Sequence, residues 1–494
     1  MSKIKALAGE TAIYGMGSIL PKILNFILVA PYLTRELTRG EYGIYSIIYA
    51  YIALIMAVVT LRLETSYFRF ATLGGEKEKS FGTSVITIFL MSILFLLLVY
   101  FNAKGIAGTI TDVRDAKYIR WFAFIIAFDA MVAIPFAKLR LENRAIKFAL
   151  IKIINVIATI AIILFFLEFC RHFHANGSQN YWASLYEETR LLDYIFWANL
   201  VASAVVFILM IPEFFKFKLR FDLVLFKKMI RYSWPLILVG VAAAINQSFD
   251  RVFIAKLMPG TPEENEIAAG IYSGASKIAI IMSLFATAFN YAAEPFFYKN
   301  FKEKDAKVVY GKVALAFTVT ACIVFLGITL YIDLVQYLIG KDFREGIYVV
   351  PVLLMAYLFL GLYYNFSIWY KLKDKTILGG VIALVGAFVT ITFSTLLIGK
   401  IGMIGASWSI LICFIVMCTL ALWTGKKHYP IQYPLGKMAG YILLAIGLYA
   451  LDFYIINPFA ERLESPIIEF LVKTILFLSF LAFAYRQNKN ILDT

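Results

Sequence analysis

GSILPKILNFILVAPYLTRELTRGEYGIYSIIYAY, residues 17–51, joins a long apolar run, a charged turn and the opening of a second apolar run. The first run is about the length needed to cross ~30 Å of hydrocarbon as a helix. It nevertheless carries a lysine, Lys22, and an amide, Asn25, in its middle. Gly15, Ser18, Lys22 and Asn25 follow one another at spacings of three, four and three, which places them on one stripe of a helix. A charge at mid-bilayer costs about 2.5–3.5 kcal/mol on insertion scales, so such a stripe faces a protein interior or an aqueous cavity.

The rest of the chain follows the same plan. Of 494 residues, 61% are hydrophobic and 16% charged, against about 25% charged in soluble domains. Fourteen spans are expected, at 11–33, 43–61, 81–101, 118–137, 148–167, 193–211, 234–255, 269–292, 308–330, 347–370, 376–398, 402–423, 436–456 and 466–485. The longest polar interval, 168–192, is too short for a soluble catalytic domain. The fold class is therefore an all-α polytopic membrane protein.

Charge assigns the sides. Counting from a cytoplasmic N-terminus, the even-side segments hold 29 of the 47 Lys and Arg, the opposite gaps 12 and the spans six. The positive-inside rule then puts both termini in the cytoplasm, and the net charge of +15 records topology and contact with anionic membrane lipids. The basic residues are scattered over short loops, which argues against nucleic acid as a partner. The first span is too long for a cleaved signal peptide and reads as a retained helix. Cys322, Cys413 and Cys418 lie in spans as packing residues. Cys170, with His172 and His174, sits in the 168–192 loop, and no metal site is assigned there.

The tetrapeptide GIYS at 43–46 returns at 270–273, an offset close to half the chain. Six spans separate the copies, so both halves share one orientation. Two parallel six-helix repeats are one of the known transporter plans. The expected organisation is an N-terminal lobe over 1–212, a C-terminal lobe over 213–425 and two accessory spans over 426–494.

The stretch quoted at the outset resembles the opening of bacterial polysaccharide-biosynthesis flippases, through Pro31, Leu33, Thr34, Arg35, Leu37, Glu41, Tyr42, Gly43, Tyr45 and Ser46. These flippases belong to the superfamily of lipid II flippases and multidrug and toxic compound extrusion transporters. The Asp250-Arg251 pair of the seventh span is also similar to the family. The resemblance implies two lobes around a cavity that opens alternately to each side of the bacterial cytoplasmic (inner) membrane. It also implies a cargo, an oligosaccharide on a polyprenyl pyrophosphate, bound for a surface polysaccharide such as lipopolysaccharide or capsule. A glycan polymerase is the protein partner that pathway suggests.

The residues give the same reading. Asn246 and Asp250, and Gln247 and Arg251, are each four apart, so the four cover one face of a continuous helix. Span eight carries Ser273, Lys277, Ser283, Thr287, Asn290 and Glu294 at helical spacing. Span two carries Tyr45, Tyr49, Thr60 and Glu64, with Arg62 at its cytoplasmic end. The expected substrate-binding set is Lys22, Arg62, Arg251, Lys277, Asn25, Asn246 and Gln247, because cations in a low dielectric hold pyrophosphate strongly. Tyr45, Tyr49, Tyr363, Tyr364 and Trp369 are candidate sugar platforms. Asp250, Glu64, Asp129 and Glu294 are the coupling or gating carboxylates, and Asp250 is expected to meet Lys22. No cofactor is expected; the energy source is an H⁺ or Na⁺ gradient or the membrane potential. A drug/cation antiporter would carry a cationic cargo, which the basic cavity disfavours. A membrane polysaccharide polymerase would need catalytic groups that the 168–192 loop scarcely supplies.

Overall fold

The computed structural model describes residues 30–73, 76–177, 180–217, 219–301, 303–373, 375–459 and 466–492, together with Leu20, Ile23, Leu24 and Phe26. Among the described residues the chain is helix and turn, without strands. Among the described residues, twelve helices are long and apolar enough to cross a membrane. One of them, Thr376–His428, contains non-helical backbone at Ile401 and Gly402 and so carries two of the expected spans. Most of the first expected span, including Lys22 and Asn25, lies outside the described residues. The protein is a multi-pass helical membrane protein.

By contact the chain forms two compact units, Met1–Gly274 and Ala275–Thr494. The lobes expected from the repeat are defined by sequence equivalence instead, so the two divisions differ in what they measure. In the first unit, the seventh span packs against the second and third. In the second, the helix Val350–Phe366 packs on Thr376–His428, and Ala306–Thr329 packs on Leu435–Leu451.

Both GIYS segments begin helices that the sequence caps in the same way. Thr38 and Glu41 form a capping box, in which the Glu41 N–H donates to the Thr38 hydroxyl at 3.3 Å and the Thr38 N–H donates to the Glu41 carboxylate at 3.0 Å. Thr261 and Glu264 repeat the arrangement at 3.3 and 2.8 Å. Each box satisfies two backbone donors that a helix start leaves unpaired.

The two copies of GIYS then meet. A β-carbon added to Gly43 would lie 2.0 Å from the Glu266 carbonyl oxygen, and one added to Gly270 would lie 2.0 Å from that of Arg39. Each glycine thus faces the residue four before the other, a reciprocal crossing in which backbone touches backbone. Only a residue without a side chain permits that approach. The crossing lies at the start of both helices, away from the basic segment 62–80 in which the second span ends.

Candidate functional site

The second span is not one helix. Ile52–Val59 ends, Leu63–Leu73 begins, and between them Leu61 and Arg62 adopt φ of 50° and 52°. Such left-handed backbone is uncommon for residues with side chains, and it persists only where the surroundings impose it. Thr60 closes the first segment by donating its hydroxyl to the Met56 carbonyl at 2.8 Å. Arg62 therefore lies within a longer helical segment, Arg39–Thr72, than the hydropathic span alone outlines. It sits at a break with eleven further helical residues beyond it.

The break opens into a cavity of about 290 Å³ within the first unit. One wall is Ala53, Met56, Ala57 and Thr60, and the other is Gly240, Ala243, Ala244 and Gln247, with Arg62, Glu64 and Ser248 completing the lining. Each wall follows the spacing i, i+3, i+4, i+7, one face of a helix. Small residues on both faces leave the room. At Gly240 a β-carbon would come within 2.7 Å of the Arg62 Nε and Nη2, so the guanidinium lies directly over this glycine. The Arg62 guanidinium makes no hydrogen bond or salt bridge among the described residues, whereas Glu64 stands near it in the same cavity. An unpaired guanidinium in a polar pocket of a membrane span is placed to receive an oxyanion, to which it offers a fork of donors.

The other expected residues separate from this group. The seventh span is interrupted at Phe249, between Leu223–Ser248 and Asp250–Leu257. Phe249 itself keeps right-handed helical backbone, with φ −88° and ψ −4°, so the interruption is confined to one residue. Gln247 lines the cavity, Asn246 is buried, and Asp250 and Arg251 turn to each other. The Asp250 Oδ1 accepts the Arg251 backbone N–H at 3.0 Å and its Nε at 3.2 Å. The expected partner Lys22, like Asn25, lies outside the described residues.

Asp129 stands beside Lys152 and Ser203 in the interior of the first unit, and the Lys152 ammonium lies 4.3 Å from the centroid of the Phe136 ring. In the second unit Lys277 is half-buried on Pro262–Asn300. Glu294, further along the same helix, pairs with Lys371 at 2.9 Å, both about a third exposed. Among the aromatics, the Tyr45 and Tyr49 rings lie tilted to each other with centroids 4.5 Å apart, against Phe196 and Phe122. Trp369 is buried, stacked on His428, and donates its indole N–H to the Ala421 carbonyl, a packing role and not a free sugar platform.

Sequence reading missed the strained pair Leu61-Arg62 and the glycine beneath the guanidinium. The interlocking small-residue spacing of 53–60 and 240–247 was the available signal for both. The second unit adds an apolar groove of about 730 Å³, lined by Phe359, Leu362, Trp408, Leu411, Leu443 and neighbours.

Residues 7–301, more than half of the chain, match the family described as polysaccharide biosynthesis protein. The chain belongs to that family. A curated relative, Lsg locus putative protein 1 of Haemophilus influenzae, is 22% identical over 60% of this chain and 68% of its own length. Among solved structures, the lipid II flippase MurJ in an inward closed conformation aligns with a TM-score of 0.68 at 17% identity, covering 96% of this chain and 99% of that one. An inward-facing multidrug resistance MATE family transporter of the MOP superfamily aligns at 0.62 and 13%, covering 88% and 98%. This member of the polysaccharide biosynthesis family thus has the flippase and transporter fold.

Proposed function

We propose that the protein is an alternating-access flippase that moves a polyprenyl-pyrophosphate-linked oligosaccharide from the cytoplasmic to the outer leaflet. The observation that carries this reading is Arg62, whose guanidinium has no ion-pair partner among the described residues and is held over Gly240 at a strained break between two helices. A pyrophosphate carries paired oxyanions of the geometry that an arginine fork accepts. Gln247, Thr60 and Ser248 supply the neutral hydrogen-bonding groups that a sugar requires. The Gly43–Gly270 crossing is the outer closure, parting when cargo leaves. Glu64, beside Arg62, competes with the pyrophosphate for the guanidinium. Cargo then shifts the equilibrium through its differential affinity for the two states. An H⁺ or Na⁺ gradient, or the membrane potential, supplies the energy, and a glycan polymerase receives the cargo.

Proteoliposomes holding the purified protein and a radiolabelled polyprenyl-pyrophosphate oligosaccharide test this reading. Glycan should become accessible to a membrane-impermeant glycosidase on the opposite face, with the lipid-linked sugar chemically unchanged. New glycosidic bonds would make the protein a polymerase. Extrusion of cationic dye without glycan movement would make it a drug antiporter.

A further inference from the structure

Glu213, the last residue but one of Leu191–Phe214, is fully buried. Its Oε1 accepts hydrogen bonds from Arg144 Nη1 at 2.8 Å, Lys147 Nζ at 2.6 Å and Lys216 Nζ at 2.8 Å. Lys138 Nζ stands 3.6 Å from the other carboxylate oxygen, itself buried and lying 4.9 and 4.3 Å from the Phe81 and Phe217 ring centroids. One carboxylate thus gathers four cations. Glu142, which pairs with Lys77 at 3.1 Å and lies 3.9 Å from Arg144, brings one cation for its one charge and leaves the surplus of three in place.

A cluster that served only to tie helix ends together would approach neutrality, because each uncompensated charge held out of water is costly. The surplus here is also accessible. Arg144, Lys147 and Lys216 are 34, 33 and 41% exposed, and each keeps further N–H donors beyond the one given to Glu213. No two of the three contacting nitrogens are farther apart than twice 2.8 Å, since all bond one oxygen. The buried carboxylate therefore holds three cations within the reach of a single phosphate.

The surroundings select the source of that phosphate. Ile146 and Phe215, the neighbours in sequence of the clustered cations, are 74 and 79% exposed, and Leu150 lies exposed one turn further along the same helix. Open apolar side chains beside a cation cluster mark the boundary between headgroups and acyl chains, and they favour an amphipathic ligand over a soluble ion. The cluster also lies at the helix ends that the charge count assigns to the cytoplasm. We infer that Glu213, Arg144, Lys147 and Lys216 form a clamp for the phosphate headgroup of an anionic phospholipid of the inner leaflet. Glu213 organises the cations and the apolar neighbours seat the acyl chains. The site is distinct from the Arg62 cavity and does not depend on the cargo proposed above.

The test uses the purified full chain in neutral detergent, titrated with phosphatidylglycerol, with phosphatidylcholine of the same acyl chains, and with inorganic phosphate. Adducts are counted by native mass spectrometry and melting temperature is followed in parallel. The wild type should bind phosphatidylglycerol in preference to phosphatidylcholine. The double variant Arg144→Gln/Lys147→Gln should weaken that binding roughly tenfold or more while leaving phosphatidylcholine adducts unchanged. Arg144→Lys, which keeps the charge, should retain most of the affinity. Should the double variant fail to fold, Lys216→Gln, the most exposed member, carries the same comparison. Equal binding of the two lipids, or variants that bind phosphatidylglycerol like the wild type, would overturn the clamp. Displacement of the lipid by millimolar inorganic phosphate would overturn its assignment to a lipid.

Discussion

Two consecutive residues, Leu61 and Arg62, spend backbone free energy so that one guanidinium can enter a membrane cavity. Left-handed backbone costs about 1–2 kcal/mol for a residue with a side chain, and both residues adopt it. This separates strain from chemistry in an experiment. Arg62→Gly removes the guanidinium and eases the backbone together. Stability in detergent should therefore hold or rise by about 1 kcal/mol, while glycan export in a deletion strain falls at least tenfold. Arg62→Ala should lose export with no gain in stability. If Arg62→Gly exports at the wild-type rate, Arg62 binds nothing of importance. At Gly240 an added methyl group meets the Arg62 guanidinium at 2.7 Å and the Ala57 β-carbon at 3.0 Å, and no backbone atom.

At the scale of elements, the recurring tetrapeptide has a mechanical meaning. Gly43 and Gly270 let two capped helices cross with their backbones in contact, and a methyl group on either side strikes a carbonyl oxygen that cannot swing away. Gly43→Ala and Gly270→Ala should each cost roughly 1–3 kcal/mol as overpacked contacts. Because either substitution already parts the helices, the double variant should cost clearly less than the sum. Denaturant unfolding of the three variants in detergent measures the coupling. Strict additivity would mean that the glycines do not share one crossing. The interruption at Phe249 acts in a comparable way on the seventh span. It restarts the helix at Asp250, whose carboxylate then bonds the backbone N–H of the next residue. A helix start favours negative charge, so one Asp250 oxygen is engaged locally, while its Oδ2 is buried without a hydrogen-bond partner among the described residues.

For the whole molecule, the distribution of lysine and arginine makes a statement about sides that a labelling experiment can check. With both termini cytoplasmic, a single cysteine at Ser184 in a cysteine-free background should react with an impermeant maleimide added to intact cells. One at Lys228 should react only after the membrane is opened. Both positions are exposed. The reverse pattern would invert the orientation, and with it the placing of the Glu213 cluster in the inner leaflet.

The sequence by itself determined the class of the molecule, a chain of apolar helices with a family signature around GEYGIYS, and set an expected sidedness for labelling to test. Each of these is a property of composition or of residues close together in the chain. Hydropathy adds along a segment whatever surrounds it, and the positive-inside count needs only the order of the loops. Tertiary structure alone decided where the helices break and which charges meet. Nothing local marks Leu61 and Arg62 as left-handed, and the glycine that the Arg62 guanidinium covers, Gly240, lies almost 180 residues away in the chain. Periodicity places Asn246, Gln247, Asp250 and Arg251 along one helical segment, but only the folded chain shows that Gln247 lines the cavity while Asp250 and Arg251 pair. Glu213 reads in sequence as an ordinary acid at the end of a span. It becomes the centre of four cations because three helix ends converge on it, and burial in a low dielectric makes that pairing strong.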